Sequence, residues 1–284
     1  MKYRAIGDLQ EEGVCTSPAK LALHSLRVVG AEDWDADLQV VRVFAGIHLI
    51  ALLCADRSLW VEGLHRISGQ AETPSSTNDL TQIASGSEVD YVSVGEYHVL
   101  FVSGRHLYSC GRGDYGELGI GAPCLMSFLA HRVELPIGEK VKAVAAGSRF
   151  SLVLTESATV FVFGAGAFHR LGLGSATLDA LLPTRLEALD GVGQLRGDGT
   201  SSGISLIAAG KWHAVAVAGE SSDVYLWGWC KFSQHGHSEE ALIPCPVRCS
   251  ALDAVLSPDD RITKAVCGTR FTAFLTSLGQ LFMM

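Results

Sequence analysis

Short apolar runs punctuated by glycines recur along this chain. No window of about 15 residues sustains an apolar period of 3.6, so the pattern predicts strands joined by turns, with few helices. The runs also repeat one another. FAGIHLIALL begins at Phe44, VSVGEYHVLFV at Val92, VAAGSRFSLVL at Val144, IAAGKWHAVAV at Ile207 and AVCGTRFTAFL at Ala265. Their common order is apolar residues, a small residue, glycine, two variable residues and an apolar strand. The glycines are Gly46, Gly95, Gly147, Gly210 and Gly268.

A second glycine follows each of the first four, at the end of an aromatic strand: LWVEG (Gly63), LYSCG (Gly111), VFVFG (Gly164) and VYLWG (Gly228). Glycine-rich loops come next, best kept in GRGDYGELGIG and GAGAFHRLGLG, and then prolines such as Pro183, Pro244 and Pro246. Strand, turn, strand and glycine-rich loop at a period of about 55 residues describe one propeller blade. The predicted fold is all-β, a β-propeller of about five blades. Its repeats fall near residues 40–88, 89–140, 141–203 and 204–261, with 262–284 plus 1–39 as a composite blade. The last copy stops at GQLFMM, where its second glycine is due, and KYRAIGDLQEEG, Pro18 and LALHSL supply what should follow. The two ends are thus expected to share a blade and close a single-domain ring, removing exposed sheet edges. A sixth blade remains open if a decayed copy lies within 64–90 or 1–40.

The chain has 284 residues, 48% of them hydrophobic and 18% charged, a composition that excludes a disordered chain. Its net charge of −8 removes the usual driving force for non-specific nucleic-acid binding and for attachment to anionic membranes. The longest nearly uncharged apolar run, between Arg42 and Asp56, falls well short of the roughly 20 residues of a membrane span. MKYRAIGDLQEEG has no apolar core of a secretory signal, so a cytoplasmic and/or nuclear location is expected. Eight scattered cysteines read as reduced, buried thiols.

GEYH (95–98), GKWH (210–213), YLWGW (225–229) and GELGIG (116–121) resemble the repeats of the regulator of chromosome condensation family. The likeness is to its small stand-alone members, tied to a JmjC-type histone demethylase or to Elongator and diphthamide modification, and VYLWGWCKFSQHGH carries most of it. The resemblance implies a β-propeller without catalysis. It also implies a protein partner, such as a chromatin enzyme or a subunit of tRNA or translation-factor modification. The chain differs from the large Ran exchange factor of the family in blade number, charge and lack of a basic tail.

Several motifs imitate chemistry. GRGDYG (111–116) satisfies a dinucleotide fingerprint, yet ELGIGAP follows it where a helix is required, and the next blade has GAGAFH in its place. GTSSG (199–203) satisfies a nucleophile elbow but precedes a strand instead of a helix. His235, His237, Cys245 and Cys249 are a weak zinc candidate whose spacing matches no common structural pattern. No cofactor and no metal are expected, and no constellation supports an enzyme. His48, His98 and His213 align as one position packed between blades, with Phe150 and Phe271 in the other copies, and Trp60, Trp227 and Trp229 read as blade core.

Trp212 and Lys211 fall on the two variable turn positions, where side chains point off the ring. Glu96 and Tyr97, Ser148 and Arg149, and Thr269 and Arg270 hold the same turn in other copies. Aromatics and arginines among neutral loops have the composition of an interface hot spot. Glu96, Tyr97, Arg149, Lys211, Trp212 and Arg270 are therefore the candidate partner-binding residues. The expected function is an adaptor or regulatory subunit, monomeric or heterodimeric, that holds a protein on one face of the ring. The alternative is a guanine-nucleotide exchange factor for a Ran-like GTPase. It would use the insertion DGVGQLRGDGTSSG (190–203) as a wedge.

Overall fold

The structure, a computed structural model, describes residues 39–64, 80–84, 89–174, 178–192, 203–219, 221–230, 242–257 and 259–284. Five antiparallel sheets succeed one another in them, each a meander in which every strand pairs with the next. The first holds β1 (Val40–Ala45), β2 (Ile50–Cys54), β3 (Leu59–Glu62) and β4 (Leu80–Ala84), and the second β5 (Val89–Val94), β6 (His98–Ser103), β7 (His106–Gly113) and β8 (Cys124–Val133). The third holds β9 (Val141–Ala146), β10 (Phe150–Thr155), β11 (Val160–Gly164) and β12 (Ala180–Arg185). The fourth holds β13 (Ile204–Ala209), β14 (His213–Ala218), β15 (Val224–Trp229) and β16 (Leu242–Cys249), and the fifth β17 (Ile262–Cys267), β18 (Thr272–Thr276) and β19 (Leu281–Met283). They form the five-bladed β-propeller that the repeat predicts. Two 3-10 turns, Ala167–His169 and Glu187–Leu189, interrupt the strands. Among the described residues no helix is long and apolar enough to cross a membrane.

The glycine grammar has a steric cause. The carbonyl of Gly147 accepts the N–H of Glu96 from the preceding blade, that of Gly210 accepts Ser148, and that of Gly268 accepts Lys211, each at 3.2 Å. A Cβ on Gly210 would stand 2.5 Å from the Gly268 carbonyl, so this blade-to-blade contact requires glycine. The second glycine answers a different need. Gly164 has φ +111, and an added Cβ would lie 2.7 Å from the carbonyl oxygen of Arg149. Each first strand also carries one extra residue opposite its partner strand, at Val41, Asp90, Lys142, Ser205 and Thr263. Such bulges sharpen the strand twist, and here they recur once per blade.

The core lies between blades. Leu49, Val61, Val99 and Phe101 join the first to the second. Val102, Leu107, Val153 and Phe163 join the second to the third. Phe150, Leu152, Ala216 and Trp227 join the third to the fourth, and Val215, Leu226, Ile262 and Phe274 the fourth to the fifth. Among the described residues no such cluster joins the fifth blade to the first. Val266, Phe271 and Met283 of the fifth and Val41 and Val43 of the first are exposed. The expected closure by a shared blade falls on residues 1–38, which lie outside the described residues.

Gly164→Ala should lower the unfolding free energy by about 2–3 kcal/mol, because left-handed strain and a backbone clash act together. Gly138→Ala is the control: its φ is +93, but an added Cβ meets nothing within 4 Å. Urea unfolding of both variants checks this. Equal losses would show that the clash with Arg149 contributes nothing.

Candidate functional site

The turn that opens each second strand sorts its side chains by position. The residue three places after the first glycine is Leu49, His98, Phe150, His213 or Phe271, and in the first four blades it is fully buried. In the second, third and fourth blades it lies opposite the second glycine, pairing His98 with Gly111, Phe150 with Gly164 and His213 with Gly228. His48 does not belong to this set. It stands one residue earlier, where its carbonyl lies beneath Gly63 as those of Tyr97, Arg149 and Trp212 lie beneath Gly111, Gly164 and Gly228. Leu49 takes the packing role that the sequence pattern gives to His48.

His98 shows why an imidazole suits that position. Ser151 Oγ donates to the Glu117 carbonyl at 2.8 Å, so it can only accept from His98 Nε2, 2.9 Å away. His213 Nε2 makes the equivalent contact with Thr272 Oγ1 at 2.9 Å. The Nδ1 atoms of both rings have no partner among the described residues, and burial holds both groups neutral, with pKa values pushed down to about 4.

The two variable turn positions carry the candidate residues, which the structure gathers on one face. His48 stacks on Tyr97 with ring centroids 4.9 Å apart. Arg149 lies over Tyr97 at 5.8 Å and over Tyr115 at 5.1 Å, and Arg112 over Tyr97 at 5.7 Å. One blade further, Trp212 meets Phe168 edge-on at 4.9 Å and Trp229 at 5.9 Å, with Lys211 and Arg170 over its ring at 5.4 and 4.8 Å. Glu96 is more enclosed than the sequence suggests. At 9% exposure it accepts a hydrogen bond from Ser148 Oγ and sits 3.8 Å from His48 Nε2. Arg270 holds the same turn position in the fifth blade and is exposed.

Half of this face comes from the glycine-rich loops, which the repeat pattern treats only as connectors. Superposing GRGDYGEL on GAGAFHRL sets Tyr115 against Phe168 and Glu117 against Arg170. The repeat thus marks the loop positions that join the turn residues on this face. Glu117 is 3% exposed and Arg170 2%. Burial pushes the Glu117 carboxyl up to about 7; burial, reinforced by Arg149, pulls the Arg170 guanidinium down to about 10. Trp229, expected in the core, lies on this face, whereas Trp227 is fully buried and donates to the Arg170 carbonyl at 2.9 Å. Trp60 is half-buried and donates to Ser58 Oγ.

Of the weak zinc candidate, Cys245 and Cys249 lie on β16, while His235 and His237 fall outside the described residues. The described cysteines are free thiols, and burial pushes Cys110 and Cys230 up to about 12. Between the third and fourth blades the face opens into a cavity of about 340 Å³, lined among others by Tyr115, Arg149, Phe168, Arg170, Lys211 and Trp212.

Residues 106–154 and 157–217 match the regulator of chromosome condensation repeat. The Ultraviolet-B receptor UVR8 of Arabidopsis thaliana is 29% identical over 264 residues, covering 89% of this chain and 56% of the receptor. Human WBSCR16 shares the fold with a TM-score of 0.71 at 19% identity, over 87% of this chain and 62% of its own. Prp20p of Saccharomyces cerevisiae, whose structure was described with its binding to Gsp1p and histones, gives a TM-score of 0.67 at 18% identity, over 84% and 56%. The chain thus spans little more than half the length of the receptor it matches.

The buried groups beneath the face give stability a two-sided pH dependence. His98 and His213, depressed to about 4 from an ordinary 6.5, contribute stability that is present above about pH 6.5 and lost as pH falls through 4. Glu117, raised to about 7 from 4.5, contributes stability that is present below about pH 4.5 and lost as pH rises through 7. Glu117→Gln should therefore raise the unfolding free energy at pH 7.5 by roughly 1–3 kcal/mol and leave it unchanged near pH 4. Urea unfolding at both values reads this directly. A variant less stable at pH 7.5 would show that the ionised carboxylate is well accommodated.

Proposed function

We propose that this chain is a non-enzymatic adaptor or regulatory subunit that captures a protein partner on the face bearing Tyr97, Arg149 and Trp212. The observation that carries the reading is the cluster of rings and guanidinium groups held on turns that the blade-to-blade hydrogen bonds make rigid. Tyr, Trp and Arg dominate interface energetics, since each removes much apolar area from water while keeping a polar edge to orient the partner. A preformed surface binds without the ordering cost that a loop would bear. Prp20p, similar in fold, is described with protein partners, which agrees with this use of the scaffold.

An exchange factor would instead need a wedge that reaches a bound nucleotide. The insertion proposed for that role, 190–203, is described only at residues 190–192 and 203. Among the described residues, nothing in the geometry of the face favours that reading.

Trp212→Ala combined with Arg149→Ala should weaken capture of the native partner by about 2 kcal/mol or more, roughly a 30-fold loss, with an unchanged melting profile. Affinity purification from the native cell, followed by titration of the partner identified by mass spectrometry, measures it. Full-strength capture by the double variant would overturn the reading. So would accelerated nucleotide release from a Ran-like GTPase that disappears when 190–203 is replaced by a short Gly-Ser bridge.

A further inference from the structure

The cavity between the third and fourth blades is lined by three cations, Arg149, Arg170 and Lys211, and among the described residues none of them forms an ion pair. Their contacts are with the rings of Tyr97, Tyr115, Phe168 and Trp212, apart from one hydrogen bond from Arg170 Nε to the Ala167 carbonyl at 2.8 Å. Other guanidinium groups of the protein are treated differently. Arg105 pairs with Glu156, Arg112 with Asp114, Arg132 with Glu134 and Arg185 with Asp190, and Arg248 holds both Asp223 and Asp253. In a chain with 30 acidic and 22 basic side chains, three unpaired cations converging on one cavity reverse the general charge.

Arg170 makes the point sharpest. It is 2% exposed, and its Nη1 has no hydrogen-bond partner among the described residues. A buried guanidinium left unpaired is costly, and the nearby Arg149 repels it further. A negative charge entering the cavity would relieve both.

The acidic neighbours set the size of that charge. Glu96 and Asp179 also line the cavity, but Glu96 is engaged by Ser148 and His48, and Asp179 accepts the Gly166 N–H at 2.9 Å. Three cations against these two carboxylates leave one positive charge to answer. Glu117, which also acts on Arg170, is pushed up to about 7 by burial, so the full surplus is present below that pH and is partly offset above it. A single carboxylate balances that surplus, whereas a phosphate dianion would exceed it and be repelled by Glu96 and Asp179. The flat rings of Tyr115, Phe168 and Trp212 suit a planar group with peptide on either side.

We propose that this cavity is a carboxylate pocket, which receives one Asp or Glu side chain of an acidic peptide segment in the partner. The inference rests on the reading of this face as a protein-binding surface and names the chemistry it would recognise.

The probes are synthetic octapeptides, otherwise neutral and Gly/Tyr-rich, with Glu, Gln or phosphoserine at one central position. Titrated by fluorescence anisotropy at low salt, the Glu peptide should bind about tenfold or more tightly than the Gln peptide and more tightly than the phosphoserine peptide. Lys211→Met, a half-exposed change that leaves the buried Arg170 in place, and Arg149→Met should each weaken the Glu peptide and leave the Gln peptide unmoved. Equal binding of the Glu and Gln peptides, preference for phosphoserine, or indifference to both substitutions would overturn the proposal. Partner capture that needs Trp212 but is not competed by the Glu peptide would sink the pocket and spare the adaptor. Capture that needs neither would sink both.

Discussion

The ring depends on one close approach between main chains: the N–H after a glycine in one blade donating to the glycine carbonyl of the next. The bond recurs from the second blade to the fifth; at Gly95 and Gly210 a Cβ would collide with that carbonyl, and at Gly147 with the Phe150 ring, so each place excludes a side chain. The apolar clusters between blades supply the larger share of the driving force, being roughly proportional to the area they remove from water. Yet they are non-directional. The hydrogen-bonded glycines define the angle at which one sheet meets the next, and so determine which side chains can meet across a seam.

Several of the groups beneath the face are polar and buried: His98, Ser151 and Glu117 in one chain of hydrogen bonds, His213 and Thr272 in another. Such groups are tolerated inside a protein when their partners are in place, and they then hold a unique arrangement. Ser151 ties the second strand of the third blade to the glycine-rich loop of the second, His213 and Thr272 tie the second strands of the fourth and fifth blades together, and Trp227 donates to the Arg170 carbonyl in the glycine-rich loop of the third. The loops that bear Tyr115 and Phe168 are fastened to the scaffold by the first and last of these bonds.

Much of the fold was legible because its requirements are local. Gly95 and Gly111 must be glycine for reasons confined to a few neighbouring atoms, so the pattern survives even where the letters around it change. At His48 the letters mislead, because that histidine stands beside the buried position and sterics align Leu49, not His48, with His98. The face was half legible. Tyr97, Arg149 and Trp212 could be named from the turn they occupy, whereas Phe168, Arg170 and Trp229 reach them from another strand or the adjacent blade. Proximity between blades is a product of the ring angle, which no local spacing encodes. Trp229 lies two residues past Trp227, where strand alternation would place both on one side; the left-handed Gly228 between them (φ +99), at a break in the pairing register, sends Trp229 to the face instead.

The glycine hydrogen bond at each seam is made between main-chain atoms, and this separates two kinds of selection. The pairs that follow the five glycines are Ile47 and His48, Glu96 and Tyr97, Ser148 and Arg149, Lys211 and Trp212, and Thr269 and Arg270. No two are alike, though each occupies the same backbone geometry. Glu96 and Ser148 are buried and bonded to each other across a seam, but the other eight are at least partly exposed. A scaffold that tolerates such variety there can drift toward new partners one blade at a time, keeping a folded intermediate at every evolutionary step.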